Sequence, residues 1–188
     1  MTIDLQRIAL GLACALAGAA AWALTVPDLQ ALLRTAPIRS VPFSELRESP
    51  WLAVPIESHG TLHSTPESLE KRILAPRQET WRLLADRMEW VDRDGVAVKH
   101  VLYSEAPAVA ALANALRHVV AADLTSLTRD FQVELAGDER QWTARLQPRE
   151  ATVGRYLDHI ELQGAGPQLQ VIIVVERQGE RTTTRLQP

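Results

Sequence analysis

The chain has 188 residues and a mass of 20.8 kDa, enough for one domain with one sizeable core and too little for a second of similar size. Its 20 basic and 23 acidic residues leave a net charge of −3, which excludes the basic footprint by which proteins hold nucleic acid or anionic lipid. The only cysteine is Cys14, so a disulfide framework is excluded as well.

Arg7 is followed by an uncharged run from Ile8 to Leu24, and Ala21-Trp22-Ala23 gives the small-x-small cleavage pattern of a secretory signal. The expectation is export, cleavage near Ala23 and a single domain over residues 24–188. Cleavage removes Asp4 and Arg7, one charge of each sign, so the net charge stays at −3. It also removes Cys14. An uncleaved anchor is the alternative, although the run is short for a bilayer span and rich in Ala and Gly. Gly11-Leu12-Ala13-Cys14 resembles a lipoprotein signal only in part, since Gly11 stands where Leu is usual.

Pro27 to Arg34 reads as a short amphipathic helix with Leu29, Leu32 and Leu33 as its stripe. Strands are expected at Arg39–Arg47, Ala53–Ser64, Ser68–Leu74, Glu79–Asp86, Arg87–Asp92 and Val96–Tyr103, with an Asp94-Gly95 hairpin. Gly60 marks a bend or bulge where a neighbouring backbone comes close, and Pro66 ends pairing because it has no N–H. Pro107 to Val120 is apolar around most of its circumference and must be covered on more than one side. Helical turns near Leu124–Thr128 and Arg149–Arg155 separate the later strands, Phe131–Leu135, Gln141–Gln147, Leu157–Gln163, Leu169–Glu176 and Arg181–Gln187. Val171-Ile172-Ile173-Val174-Val175 does not alternate: it is either covered on both faces, or packed on one and lining a cavity with the other.

The stretch Phe43 to Pro76 adds a family pattern. Ser58-His59-Gly60-Thr61-Leu62, then Thr65-Pro66-Glu67-Ser68-Leu69, then Pro76 resembles the small-Gly-x-Leu strand, Arg-Pro-x-x-Phe turn and second Pro of the periplasmic lipoprotein carriers of the LolA family. Thr65 replaces the family Arg and Leu69 the family Phe. The order of elements matches over nearly all of Val26 to Pro188.

The resemblance implies an α+β fold: a curved, incompletely closed antiparallel β-barrel with the helices Pro27–Arg34 and Pro107–Val120 over an apolar cavity. It implies a carrier of lipoprotein acyl chains, or of another lipid, between an inner-membrane exporter and an outer-membrane acceptor, acting as a monomer without cofactor or metal. Cavity lining is expected from Phe43, Leu62, Leu69, Trp81, Leu83 and Trp90 in the first strands. Leu112 and Leu116 on the long helix, with Trp142, Ile172 and Val174 later, complete it. In the family the Arg helps hold the lid closed, and Thr65 cannot make its charge-assisted bonds, which leaves open a different closing mechanism or a different cargo. The chain stops at Pro188 without the further C-terminal segment such carriers often have, and delivery is expected to differ accordingly.

Catalytic signals are lacking. His59 and His63 share a strand face without a third zinc ligand, and Asp92-Arg93-Asp94-Gly95 lacks the closing Glu of a calcium loop, Tyr103 standing in its place. Arg82, Arg87 and Arg93 read as a solvated face, and Trp51, Trp81, Trp90 and Trp142 as ordinary sheet core or cavity lining. Two alternatives stay open: an anchored outer-membrane acceptor acylated at Cys14, and an acyl hydrolase using Asp138, His59 or His159.

Overall fold

The computed structural model describes residues 24–92 and 96–187. The expected signal segment with Cys14, Trp22 and Ala23, together with Arg93 and the Asp94-Gly95 turn, lies outside them. The strands are β1 (Ser40–Glu48), β2 (Ile56–Ser64), β3 (Leu69–Ala75), β4 (Glu79–Leu83), β5 (Arg87–Val91), β6 (Ala97–Leu102), β7 (Phe131–Gly137), β8 (Trp142–Pro148), β9 (Leu157–Ala165), β10 (Gln168–Glu176) and β11 (Arg181–Leu186). They form one 11-stranded antiparallel sheet in the order β6-β5-β4-β3-β2-β1-β11-β10-β9-β8-β7. Its edges, β6 and β7, do not pair with each other, so the barrel is incompletely closed, as expected.

Strand ends follow the prolines and turns. Pro55 holds the start of β2 back to Ile56, later than the expected Ala53, and Thr65-Pro66 follows its end. A cis Ala75–Pro76 bond closes β3. β4 stops at Leu83 because the Leu84 N–H turns back to the Arg87 carbonyl at 2.9 Å.

Gly60 lies at a register shift between β2 and β3. A Cβ there would stand 1.9 Å from the Arg72 carbonyl oxygen, so only glycine lets the strands approach this closely. Gly164 does the same for Trp142, whose ring would sit 2.2 Å from its Cβ. The Trp142 indole N–H donates to the Gly166 carbonyl at 2.9 Å.

The helices are α1 (Val26–Arg34), α2 (Pro107–Val120), α3 (Leu124–Asp130) and α4 (Ala151–Gly154). They pack against one face of the sheet, and the core is the layer between. Cross-strand pairs such as Phe43–Leu186, Leu69–Leu83, Ile172–Leu162 and Leu146–Ile160 place their side chains on that face.

Gly60→Ala is expected to cost about 2 kcal/mol or more, because backbone rather than a flexible side chain must yield. His63→Ala, on an exposed position of the same strand, should change stability by no more than about 0.5 kcal/mol. Thermal unfolding of the two variants decides the matter: equal midpoints would remove the close-approach argument.

Candidate functional site

The helix-covered face is built by period-two alternation. On β1, Val41, Phe43 and Glu45 share it; on β3, Leu69, Lys71 and Ile73 do. Of the sequence-predicted lining residues, Phe43, Leu62, Leu69, Leu83, Trp142, Ile172 and Val174 are buried in one cluster, with Leu112 and Leu116 packed against it. Trp81 and Trp90 face each other across β4 and β5 and are half-buried. The Lys99 ammonium lies 6.0 Å from the Trp90 ring. These positions are therefore assembled on one face, where side chains and helices fill the space between them.

Val171–Val175 divides its two faces. Ile172 and Val174 pack in the core, while Val171 and Ile173 line an open groove of about 800 Å³ on the helix-free face, with Leu46, Thr183 and Arg185. Ile172 and Val174, expected to line a cavity, are thus packed in the core, and the groove borders the odd-numbered residues, of which Ile173 is itself buried. A second hollow, of about 670 Å³, is walled largely by ion pairs, Glu70 with Arg72 and Arg82 and Glu79 with Arg77. Arg82 and Arg87 both reach the buried Glu89, so the expected solvated face carries paired charges. That chemistry does not suit an acyl chain.

One polar group on the covered face was missed in the sequence. Lys71 Nζ donates to both Glu45 carboxylate oxygens at 2.5 and 2.6 Å, and the Thr184 hydroxyl donates to the same carboxylate at 2.6 Å. The ammonium also lies 5.2 Å from the centroid of the Phe43 ring. Alternation from Phe43 to Glu45 and from Leu69 to Lys71 was the available signal.

The helical cover is tied down by few polar contacts. α1 starts in a capping box between Thr25 and Asp28. At its other end Arg34 Nε donates to the Ala122 carbonyl at 3.3 Å. Gln30 of α1 accepts from the Thr125 N–H at 2.8 Å, tying α1 to α3. α2 has Pro107 in its first turn but no side-chain cap. Apart from Pro107 none of its residues is fully exposed, which agrees with an all-round apolar helix covered on several sides. Its C-terminus uses no glycine: Ala122 takes φ 52° while the Ala122 and Asp123 N–H groups return to Val119 and His118. That is a Schellman stop with alanine in the left-handed position.

Arg117 fastens α2 to the sheet. Its guanidinium donates to the Leu84 carbonyl in the β4–β5 turn at 3.1 Å. Thr65, by contrast, serves its own turn, its Oγ1 accepting from the N–H groups of Ser68 at 3.1 Å and Glu67 at 3.3 Å. It lines a crevice of about 230 Å³ shared with Arg117, His118, Ala121 and Asp123. Position 65 therefore does abut the helical cover, and the cation that bonds across this junction comes from the cover. Asp123 accepts from His118 at 3.1 Å and caps α3 through the Ser126 N–H. Burial alone would raise its carboxyl, but the hydrogen bonds from Ser126 and the neighbouring His118 outweigh it and hold the carboxyl below the usual range.

The weak hydrolytic candidates do not converge. His59 and His63 point to the helix-free face, opposite Gly60 and Leu62. His159 is buried, beside Asp158 at 2.8 Å and Arg145 at 3.2 Å, and Asp138 lies in the β7–β8 turn, accepting backbone N–H bonds from Arg140 and Gln141. Among the described residues no group of three His, Cys, Asp or Glu side chains could hold a metal, and no helix is long and apolar enough to cross a membrane.

A family model described as outer membrane lipoprotein carrier protein LolA-like matches residues 16–187. Among solved structures, a LolA superfamily protein from Nitrosomonas europaea is similar at 12% identity and TM-score 0.45, covering 88% of this chain and 93% of that one. MucB is similar at 14% identity and TM-score 0.44, over 86% of this chain and 56% of MucB. A DUF1329 family protein from Desulfovibrio piger has 7% identity and TM-score 0.39, over 86% of this chain and 90% of its own. No curated protein matches the chain.

Because the folded Asp123 carboxyl lies below its unfolded value, its contribution is present at neutral pH and is lost as pH falls through about 4 and below. The thermal midpoint should drop over that range. Asp123→Asn should lower the midpoint at pH 7 and make the acid-side fall shallower; a fall of unchanged slope, followed by circular dichroism, would remove Asp123 from the account.

Proposed function

The chain belongs to the family of LolA-like outer membrane lipoprotein carrier proteins, and from that membership we propose that it is a periplasmic carrier of acyl chains. In this reading it is exported with residues 1–23 removed and works as a monomer without cofactor. It takes the acylated end of a lipoprotein, or another lipid, from an inner-membrane exporter and delivers it to an outer-membrane acceptor. The observation that carries the reading is the covered face: a broad set of apolar side chains lies under helices that polar contacts hold at only a few points. Leu112 and Leu116 are half-buried on α2, and Trp81 and Trp90 half-buried on the sheet, so part of this lining already reaches solvent.

Cargo entry requires α2 to move. Acyl chains then replace helix side chains against the sheet, with about 0.8 kcal/mol gained per methylene removed from water. Opening breaks the Arg117 bond to Leu84, a contact to a neutral acceptor worth on the order of 1–2 kcal/mol.

Displacement of a fluorescent fatty acid by unlabelled lipid tests binding. Tight, competable binding is expected, and absence of binding to any amphiphile would sink the proposal. Arg117→Ala should raise the open population, and with it the rate of uptake, on the order of tenfold. Leu112→Gln with Leu116→Gln should weaken binding while the sheet's circular dichroism is retained.

A further inference from the structure

We propose that one end of the sheet is a docking surface for a lipid bilayer, with Trp51 and Val54 as its inserted residues. In an antiparallel sheet alternate connections fall at the same end. β1 ends and β2 begins there, and so do the end of β3, the end of β5, the start of β6 and the start of β9.

The large exposed apolar side chains of the described residues gather at this end. Trp51 is 74% and Val54 71% exposed in the β1–β2 connection, with Leu52 and Ile56 beside them. Leu74 closes β3, Val96 precedes β6 and Tyr156 precedes β9. Val101, toward the other end of β6, is the exception. Trp51, expected as sheet core or cavity lining, stands instead in the solvent-facing β1–β2 connection.

The β1–β2 connection is built to hold its apolar residues out. From Pro50 to Ile56 it carries no charge. Ser49 anchors its base, donating to Glu180 at 3.1 Å and accepting from the Trp51 N–H at 3.3 Å. The Leu52 N–H returns to the Ser49 carbonyl at 3.1 Å. Pro50 rests against Gly179, where a Cβ would come within 3.0 Å of its ring.

Distribution selects the occupant. Strands stand about 4.8 Å apart, so these connections, from β6 to β9, span roughly 35–40 Å of curved sheet. A peptide fills a groove; a scattered set of protruding apolar points along one rim matches an extended surface. The side chains are the types that partition into the interfacial zone, with Trp foremost. Near the rim Arg47 pairs with Glu180 at 3.3 Å, Arg77 with Glu79 at 3.5 Å and Arg177 with Asp158 at 2.7 Å, and the carboxylates Glu48 and Glu57 flank the β1–β2 connection. Attachment therefore rests on apolar insertion and requires no anionic lipid.

The test uses flotation with phosphatidylcholine vesicles and tryptophan quenching by the same lipid brominated in its acyl chains. Wild-type protein should float with the vesicles equally at low and high salt, and brominated lipid should quench part of its tryptophan emission. That part should be missing in Trp51→Phe. The double variant Trp51→Ser, Val54→Ser should bind vesicles about tenfold more weakly, as loss of about 1.4 kcal/mol requires, with unchanged thermal midpoint and unchanged fatty-acid binding. Vesicle binding can thus fail while the carrier reading stands, and the reverse. The proposal is overturned by absence of flotation, by equal binding of the double variant, by equal quenching in Trp51→Phe, or by a wild-type dimer that the double variant abolishes.

Discussion

An open antiparallel sheet with one apolar face must have that face covered, and the rest of this molecule follows from how the cover is attached. Closing the barrel would have removed the edges β6 and β7 and the need for helices. Left open, the sheet depends on α1, α2 and α3 to bury Phe43, Leu62, Leu69 and Leu83. Apolar contact supplies most of that attachment. It is non-directional, so side chains and acyl chains are interchangeable in it to first order. The polar contacts add register and little energy: Arg34 to Ala122, Thr125 to Gln30 and Arg117 to Leu84 are single bonds, each worth on the order of 1 kcal/mol net or somewhat more where charged.

The Glu45–Lys71–Thr184 cluster limits where such exchange can happen. Both Glu45 oxygens are occupied and little solvent reaches the carboxylate. Removing either charged partner would leave the other charge uncompensated, at a cost on the order of 3 kcal/mol. The pair holds β1, β3 and β11 in register from inside the covered face. An acyl chain passing beside Phe43, or beside Trp81 directly across from Lys71, would meet that ion pair, whereas Leu112 and Leu116 lie on α2.

Much of the fold was legible because its signals are local. Alternation and proline stops place the strands, and Pro107 with an apolar run places α2 within its observed bounds. Gly60 could be read as a close approach because no other residue type serves there. What escaped depends on contacts distant in sequence. Alternation does not say whether Ile172 or Ile173 faces the helices, since both are apolar and only the cover distinguishes them. Glu45 and Lys71, 26 residues apart, each look like a solvated charge until the strands are paired. α2 ends at Val120 as expected, but the residue that stops it was not legible, because an alanine at positive φ, here Ala122, gives no compositional sign. Trp51 misled in the opposite way: the preference of tryptophan for interiors says nothing about a hairpin tip beyond the end of the core.

Thr65 and Arg117 line one crevice, and of the two it is Arg117 that bonds between cover and sheet. By the resemblance, a cation at position 65 would reach from the sheet to the cover. Here the threonine hydroxyl is spent on the Thr65–Ser68 turn, and the guanidinium comes from α2, across the crevice that both residues line. Its acceptor is a backbone carbonyl, and that choice has a physical consequence. A carboxylate partner would bind the cover more strongly and make it sensitive to salt and pH; a peptide oxygen is present whatever side chain Leu84 carries and titrates at no accessible pH. The sensitivity to acid moves one turn away, to Asp123, which joins the end of α2 to the start of α3. The cover therefore has two separable fastenings, a neutral one to the sheet and a titratable one within itself. Loosening the first frees α2 from the β4–β5 turn, and loosening the second frees α2 from α3.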